Sequence, residues 1–298
     1  MMAGIQIGCG LITWGFVPDR PDNWEEIALR ETAQAGYEGA PASVREGDTP
    51  EAMVARYAHH GLKPAPGYFG GTYRPEVAPA TIIEEAKAQA HAMRAVGCTE
   101  WYIAGGGWDR VTPSGKTRRE RAGQITAEDG LSEDEMARYA KVINGIGAAA
   151  LAEGVQACFH NHVGTIIETR AETERLLALT DPATVFLGPD TGHFAWAGDD
   201  PAAFCRDHAG RIKTVHLKDC HAGVIAQGVA AGWPYAEFVN HGIFAELGEG
   251  CVDFPAILDS LRGADFSGWL IAETDRTMRP TALESATVSR AYLRSLGL

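Results

Sequence analysis

Short apolar runs alternate along this chain with longer segments that are apolar on one face only. The runs IQIGCGLI, GYEGA, LKPAPGY, EWYIAG, VQACFH, TVFLG, IKTVHL and GWLIA have strand length and end at glycine, proline or polar residues. Helical spacing is clearest over 23–35, 50–60, 79–96, 132–153, 169–179, 200–209, 253–263 and 281–295. The fourth of these opens with a Ser-x-x-Glu box at Ser132 and Glu135 and closes at Gly154, as a capped helix does. Asp200-Pro201 and Arg279-Pro280 put proline where a helix begins. Eight strands alternating with eight helices over 298 residues predict one α/β domain, a (β/α)8 TIM barrel spanning 1–298. An open doubly wound sheet is disfavoured because no GxGxxG follows the first strand.

Two segments break the rhythm. Residues 105–131 are polar, glycine-containing and charge-rich. Residues 220–250 carry Trp233, Tyr235, Phe238 and Phe244 without clear periodicity. Both follow strands, so both overhang the C-terminal mouth of a barrel, where long loops serve as lids or substrate walls. A plain surface insertion is the alternative for the first. For the second it is a subunit contact that covers aromatic rings costly to leave in water.

Composition narrows the function classes. The formal net charge is −13, which argues against a nucleic-acid partner. The six cysteines form no CxxC pair and read as buried free thiols. The stretch MMAGIQIGCGLITWG lacks a basic region ahead of its apolar part, so it reads as a first strand rather than a signal peptide. No apolar run approaches about 18 residues, so no membrane span is expected and the cytoplasm is the expected compartment.

The candidate chemistry lies at the strand ends. His160, Asp190, His216 and Glu273 each close an apolar strand-like run, and the strand ends of a parallel barrel meet at one mouth. Two imidazoles and two carboxylates suit a divalent transition metal. Residues two apart share a strand face, so His162 accompanies His160, Lys218 accompanies His216, and Asp275 accompanies Glu273. A metal beside a histidine and a lysine suits enolisation. The cation polarises a carbonyl, a base takes the proton from the neighbouring carbon, and the charge is held. His162 is the candidate proton carrier and Lys218 the candidate for a substrate oxygen or enolate. Trp14, Trp108, Asn161, His193 and His241 are candidate substrate contacts. The bland alternatives are a turn that caps the next helix for Asp190 and a simple ion pair for Lys218. No GxSxG and no P-loop is present.

The motifs FHNHVGT (159–165), DTGH (190–193), VHLKD (215–219), GIFAELGEGCVDF (242–254) and GWLIAE (268–273), with ITWG (12–15), resemble the xylose-isomerase-like barrels often labelled sugar phosphate isomerase/epimerase. Within that superfamily the chain is most similar to the inosose dehydratase branch. The resemblance implies a divalent metal at the mouth, Mn2+ first, with Co2+, Zn2+ or Mg2+ as alternatives. Asp190, His216 and Glu273 would be ligands, with His160 standing where many relatives have glutamate. It implies a lyase acting on a keto-sugar or keto-polyol. A deglycosidase acting on 3-keto glycosides and an isomerase or epimerase are alternatives by the same enolate. Relatives often place a glutamate just after the second strand's glycine, where this chain has Ala40 and Pro41. A different keto substrate is therefore expected, with the 220–250 aromatics receiving a bulky leaving group. Endonuclease IV shares the barrel type, but the third and fourth strand ends, GYFGGTY and IAGGGWD, carry no histidine. A metal-bearing barrel subunit of a larger assembly is the non-enzymatic alternative, and a homo-oligomer stays open.

Overall fold

Each apolar run reaches the interior as a short parallel strand in the computed structural model, which describes residues 4–17, 19–43 and 47–298. The strands are β1 Ile5–Cys9, β2 Gly39–Pro41, β3 Lys63–Ala65 with a continuation at Tyr68–Phe69, β4 Glu100–Ala104, β5 Gln156–His160, β6 Val185–Leu187, β7 Thr214–Leu217 and β8 Gly268–Ala272. β3 is split by Pro66-Gly67. Its first half pairs with β2 and its continuation pairs with β4. Proline has no N–H for a ladder, so the strand bends there. The Gly67 carbonyl still accepts from the Tyr102 amide at 2.9 Å. β6 and β7 meet through parallel bridges at Leu187–Ile212 and Asp190–His216. β8 pairs with both β1 and β7. The eight strands therefore close in chain order as a parallel barrel, as the alternation predicted.

The eight expected helices form within two residues of their predicted ends. Ser132 caps Glu133–Ala152, and Glu135 returns a bond to the Ser132 amide, completing the capping box. The chain departs from the sequence reading in two places. The first strand stops at Cys9 rather than Ile12, and Ile12–Gly15 makes one helical turn over the mouth. The 220–250 segment is not a loop. It contains the helices Ala222–Ala231 and Tyr235–Asn240 and a small antiparallel pairing of Asp219–Cys220 with Phe244–Ala245. Phe238 and Phe244 are buried with Trp196, Ala122 and Val163 in a satellite core. The aromatic rings are thus covered from within the chain, which replaces the expected subunit contact or leaving-group pocket for these two. Asp219 clamps the return of this segment by accepting amides of Gly248, Gly250 and Val252 at 3.0 Å each.

Residues 105–131 are held by Arg118, a fully buried guanidinium. It donates to both carboxylate oxygens of Glu172 at 2.8 and 2.9 Å, to the Thr165 carbonyl at 2.7 Å and to the Asp129 carbonyl at 3.2 Å. The neighbouring Glu168 carboxylate accepts the Gly123 and Gly164 amides at 2.8 and 2.7 Å. These bonds stitch the loop after β4 to the loop after β5. Five cysteines are buried and Cys251 is exposed, all six unbridged. Among the described residues, no helix is long and apolar enough to cross a membrane.

Arg118→Met should strand the Glu172 carboxylate in the interior. The expected loss is about 3–5 kcal/mol of unfolding free energy, read from urea denaturation. A loss below about 1 kcal/mol, the range of an exposed pair, would show that Arg118 is not the anchor of this loop.

Candidate active site

β5, β6, β7 and β8 end in order along one arc of the mouth, with Asp190 in the turn just after β6. This brings His160, Asp190 and His216 together, all buried, with ligand atoms within 4.8 Å of one another. Glu273 joins them from β8, its carboxylate 2.9 Å from His216 Nδ1. Gly10 makes room for that carboxylate: a Cβ on Gly10 would lie 2.5 Å from Glu273 Oε1. His160 donates its Nδ1–H to the Gly188 carbonyl at 3.0 Å, which leaves Nε2 as the lone-pair nitrogen facing Asp190.

Asp190 does two things with two oxygens. Oδ1 accepts the His193 amide at 2.9 Å and so caps Thr191–Trp196. Oδ2 faces His160, His193 and His216 at 3.7–4.0 Å and Lys218 Nζ at 3.1 Å. The helix-cap reading and the metal-ligand reading are both compatible with this one residue. Asn161 fixes its backbone: Oδ1 accepts the Asp190 amide at 2.9 Å and Nδ2 donates to the Asp190 carbonyl at 3.2 Å.

Among the described residues, Lys218 is the only lysine with a fully buried side chain. Its Nζ lies 2.6 Å from Asp275 Oδ1, 3.1 Å from Asp190 Oδ2 and 3.2 Å from Glu273 Oε2. His193 Nε2 lies 3.2 Å away on its fourth side. The glycine of DTGH is required here, since a Cβ on Gly192 would sit 2.6 Å from Lys218 Cγ. Burial opposes the ammonium charge, but Asp190, Asp275 and Glu273 outweigh it and hold the pKa well above the ordinary lysine value. The same neighbours separate the carboxyls. Glu273 is held well below the carboxylate range, its burial outweighed by His216 and Lys218. Asp275 is pushed up to about 6 by burial, partly offset by Lys218. His216 is raised to about 9 because Glu273 and Asp190 overcome its burial.

His162 lies just past β5 with its ring 6.1 Å from that of His160 and 3.7 Å from that of His193. Its Nδ1–H donates to the Val163 carbonyl at 2.8 Å, so Nε2 carries the lone pair. Burial, aided by Lys218, lowers its pKa to about 4, so the ring is neutral at pH 7. Trp108 packs edge-on to it at 5.0 Å, and Tyr235 lies nearly parallel to it at 6.2 Å. The Arg119 guanidinium lies over both Trp108 and Tyr235, tying the 105–131 loop to the 220–250 segment above His162.

The remaining sequence candidates divide. Trp108 lines the cavity. His193 supports His162 and Lys218 from behind. Asn161 holds Asp190 rather than facing the cavity. Trp14 is buried and spends its indole N–H on Glu31 at 2.6 Å, away from the cavity lining. His241 is exposed and stacks on Trp233 at 4.0 Å, outside the site. Both were placed at the mouth by their nearness in sequence to strand ends, and a helical turn carries each one away. The reading missed the wall opposite the charged cluster, where Ile12, Trp24, Pro41 and Tyr68 line the same cavity. Its one signal was the aromatic in GYFGG after β3.

The description "Xylose isomerase-like TIM barrel" belongs to the family that matches residues 29–296. An inosose dehydratase of Clostridium tetani is 33% identical over 165 residues, a match that spans 55% of each chain. The rhizopine catabolism protein MocC of Rhizobium meliloti is 30% identical over 92% of this chain and 83% of its own length. An inosose dehydratase of Geobacillus kaustophilus is 28% identical over 91% of this chain and 87% of its own. Among solved structures, an L-ribulose 3-epimerase matches with a TM-score of 0.69 at 20% identity, over 99% of this chain and 94% of its own. The IOLI protein with a bound zinc atom matches at 0.66 and 16% identity, over 98% and 97%.

Asn161→Ala should free the Asp190 backbone while His160 and His216 stay in place. Were Asp190 a metal ligand, affinity for added Mn2+ measured by calorimetry should fall about 10–100-fold, as for other groups that orient ligands. An unchanged affinity would remove Asn161 from the positioning of Asp190.

Proposed function

This chain belongs to the xylose isomerase-like TIM barrel family, and from that premise we propose that it is a divalent-metal-dependent carbon–oxygen lyase that enolises a keto-polyol or keto-sugar and eliminates a β-hydroxyl. The observation that carries the reading is the convergence of buried imidazole and carboxylate groups: His216 Nδ1 lies 2.9 Å from Glu273 Oε2 and 3.7 Å from Asp190 Oδ2, and His160 Nε2 lies 3.9 Å from the same oxygen. Imidazole and carboxylate ligand atoms that converge on one buried point fit a cation. The proposed ligands are His160, Asp190, His216 and Glu273. Their mixed imidazole and carboxylate donors suit Mn2+, the proposed ion, as well as Co2+ or Zn2+. A bound cation would supply Lewis-acid polarisation of the substrate carbonyl.

The protein's own groups divide the remaining work. His162 Nε2 takes the proton from the carbon beside the carbonyl, and its neutral state is the one a base requires. The C–H electron pair becomes the enolate double bond. Lys218, kept charged by three carboxylates, donates to the oxygen on which that charge develops. Collapse of the enolate expels the β-hydroxyl, which leaves as water with the proton that His162 collected. Trp108, Tyr235 and Arg119 cover His162 and limit water around it. The relatives named inosose dehydratase support dehydration of a cyclic keto-polyol over an isomerisation.

Mn2+-loaded protein in D2O should exchange the α-proton of a keto-inositol and release water, read by mass. Chelation should abolish both, and His216→Ala or Glu273→Gln should lose metal. His162→Gln should keep the metal while exchange falls about 10²–10⁴-fold. Wild-type exchange in that variant would exclude His162 as the base. Exchange with no loss of water from any keto substrate would place the chain with the isomerases.

A further inference from the structure

The cavity at the mouth continues well beyond the charged cluster. Its volume of about 600 Å3 lies in the range, roughly 300–1,000 Å3, of sites that take drug-sized ligands. A single six-membered polyol ring fills only a fraction of it. The two ends are chemically different. One end is lined by His160, His162, His216, Lys218, Glu273 and Asp275. The other end lies under the loops after β1, β2 and β3, where Leu11, Ile12, Trp24, Pro41, Tyr68 and Met93 outnumber the polar Glu25, Ser43 and Gln89. Arg56 borders this end with its guanidinium already bonded to both Asp48 oxygens, at 3.2 and 2.9 Å.

Tyr68 stands at the join. Its ring meets His160 edge-on at 5.3 Å, yet 48% of the residue is exposed, and so is 38% of Ile12. Apolar surface of this kind, held open inside a concave site, is costly to leave against water and marks a binding wall. The 220–250 aromatics do not provide this wall, since Phe238 and Phe244 pack inward.

We propose that the substrate carries an apolar substituent about the size of an aromatic ring on its keto-polyol ring, and that this second end of the cavity receives it. Trp24, Ile12 and Tyr68 are then specificity-determining residues. The ketone lies against Lys218 and His162, and the substituent points past Tyr68 toward β1 and β2. Pro41 and Ala42, which line the cavity beside it, offer a ring face and a methyl group, with the Ser43 hydroxyl next along the chain. The inference rests on the enolisation reading only for the placement of the ketone.

The test separates binding from chemistry. Calorimetry on the Mn2+-loaded protein would compare a cyclitol with its O-methyl ether and with O-benzyl ethers covering the ring positions. At least one benzyl ether should bind roughly ten- to hundredfold more tightly than the parent, the gain expected from moving one phenyl ring out of water. In Trp24→Ser and Ile12→Asp, each confirmed folded by thermal unfolding, the ratio of benzyl to parent affinity should fall toward one. Equal affinity for parent and all benzyl ethers in the wild type would overturn the proposal, as would a preference unchanged in both variants. Deuterium exchange of the matching ketones reads the chemistry. A benzyl preference without exchange of any ketone would sustain this inference and defeat the enolisation reading.

Discussion

A single buried ammonium organises the mouth of this barrel. Lys218 is enclosed by three carboxylates within 3.2 Å. Without a cation at that point, Asp190 and Glu273 would face each other across a low-dielectric space and neither could stay ionised cheaply. The lysine keeps them charged and therefore competent to hold a metal. It also separates two groups of potential ligands, His160/Asp190/His216 and His162/His193/Asp275. The first adjoins Glu273, 2.9 Å from His216 Nδ1. The second closes around the lysine and leaves His162 neutral. One charge thus gives the two halves of the mouth different chemical characters.

That arrangement tolerates little slack, and the rest of the structure limits it. Asn161 fixes the Asp190 backbone from β5, and His160 is turned by the Gly188 carbonyl. Gly10 and Gly192 allow the Glu273 carboxylate and the Lys218 stem to approach the backbone closer than a Cβ permits. Above them, Arg118 and Glu168 anchor the loop after β4, and Arg119 joins its Trp108 to Tyr235 of the 220–250 segment. The two long insertions therefore act as one cover over His162. The rim formed after β1 to β3 contributes, among the described residues, Leu11, Ile12, Trp24, Pro41 and Tyr68 beside the polar Glu25, Ser43 and Arg56. The cavity is therefore chemically uneven, charged beside His162 and Lys218 and lined elsewhere by Ile12, Trp24 and Tyr68.

Much of this was legible in the chain. Strand ends in a parallel barrel converge, so His160, Asp190, His216 and Glu273 were placed together without any knowledge of distances. The two-residue offset put His162, Lys218 and Asp275 beside them, because a strand's side-chain period is two. Periodicity failed where a strand gave way to a helical turn. Trp14 followed β1 closely in sequence, yet the turn at Ile12–Gly15 directs it to Glu31. His241 followed the aromatic segment, yet it ends a helix on the outside.

The sequence by itself determined the barrel, the end of it that carries chemistry, and the residue types that meet there. Those follow from local patterns: apolar period, caps and the parity of strand positions. The tertiary structure alone decided which oxygen of Asp190 caps a helix and which faces the cluster, that Lys218 is enclosed by carboxylates, and that the 220–250 aromatics face a core of their own. It also decided where the cavity opens. These depend on contacts between residues more than 25 positions apart, such as Lys218 with Asp190 and Asp275 or Arg118 with Glu172. No local pattern records such pairs, because their energies arise only when burial strips the water from both partners.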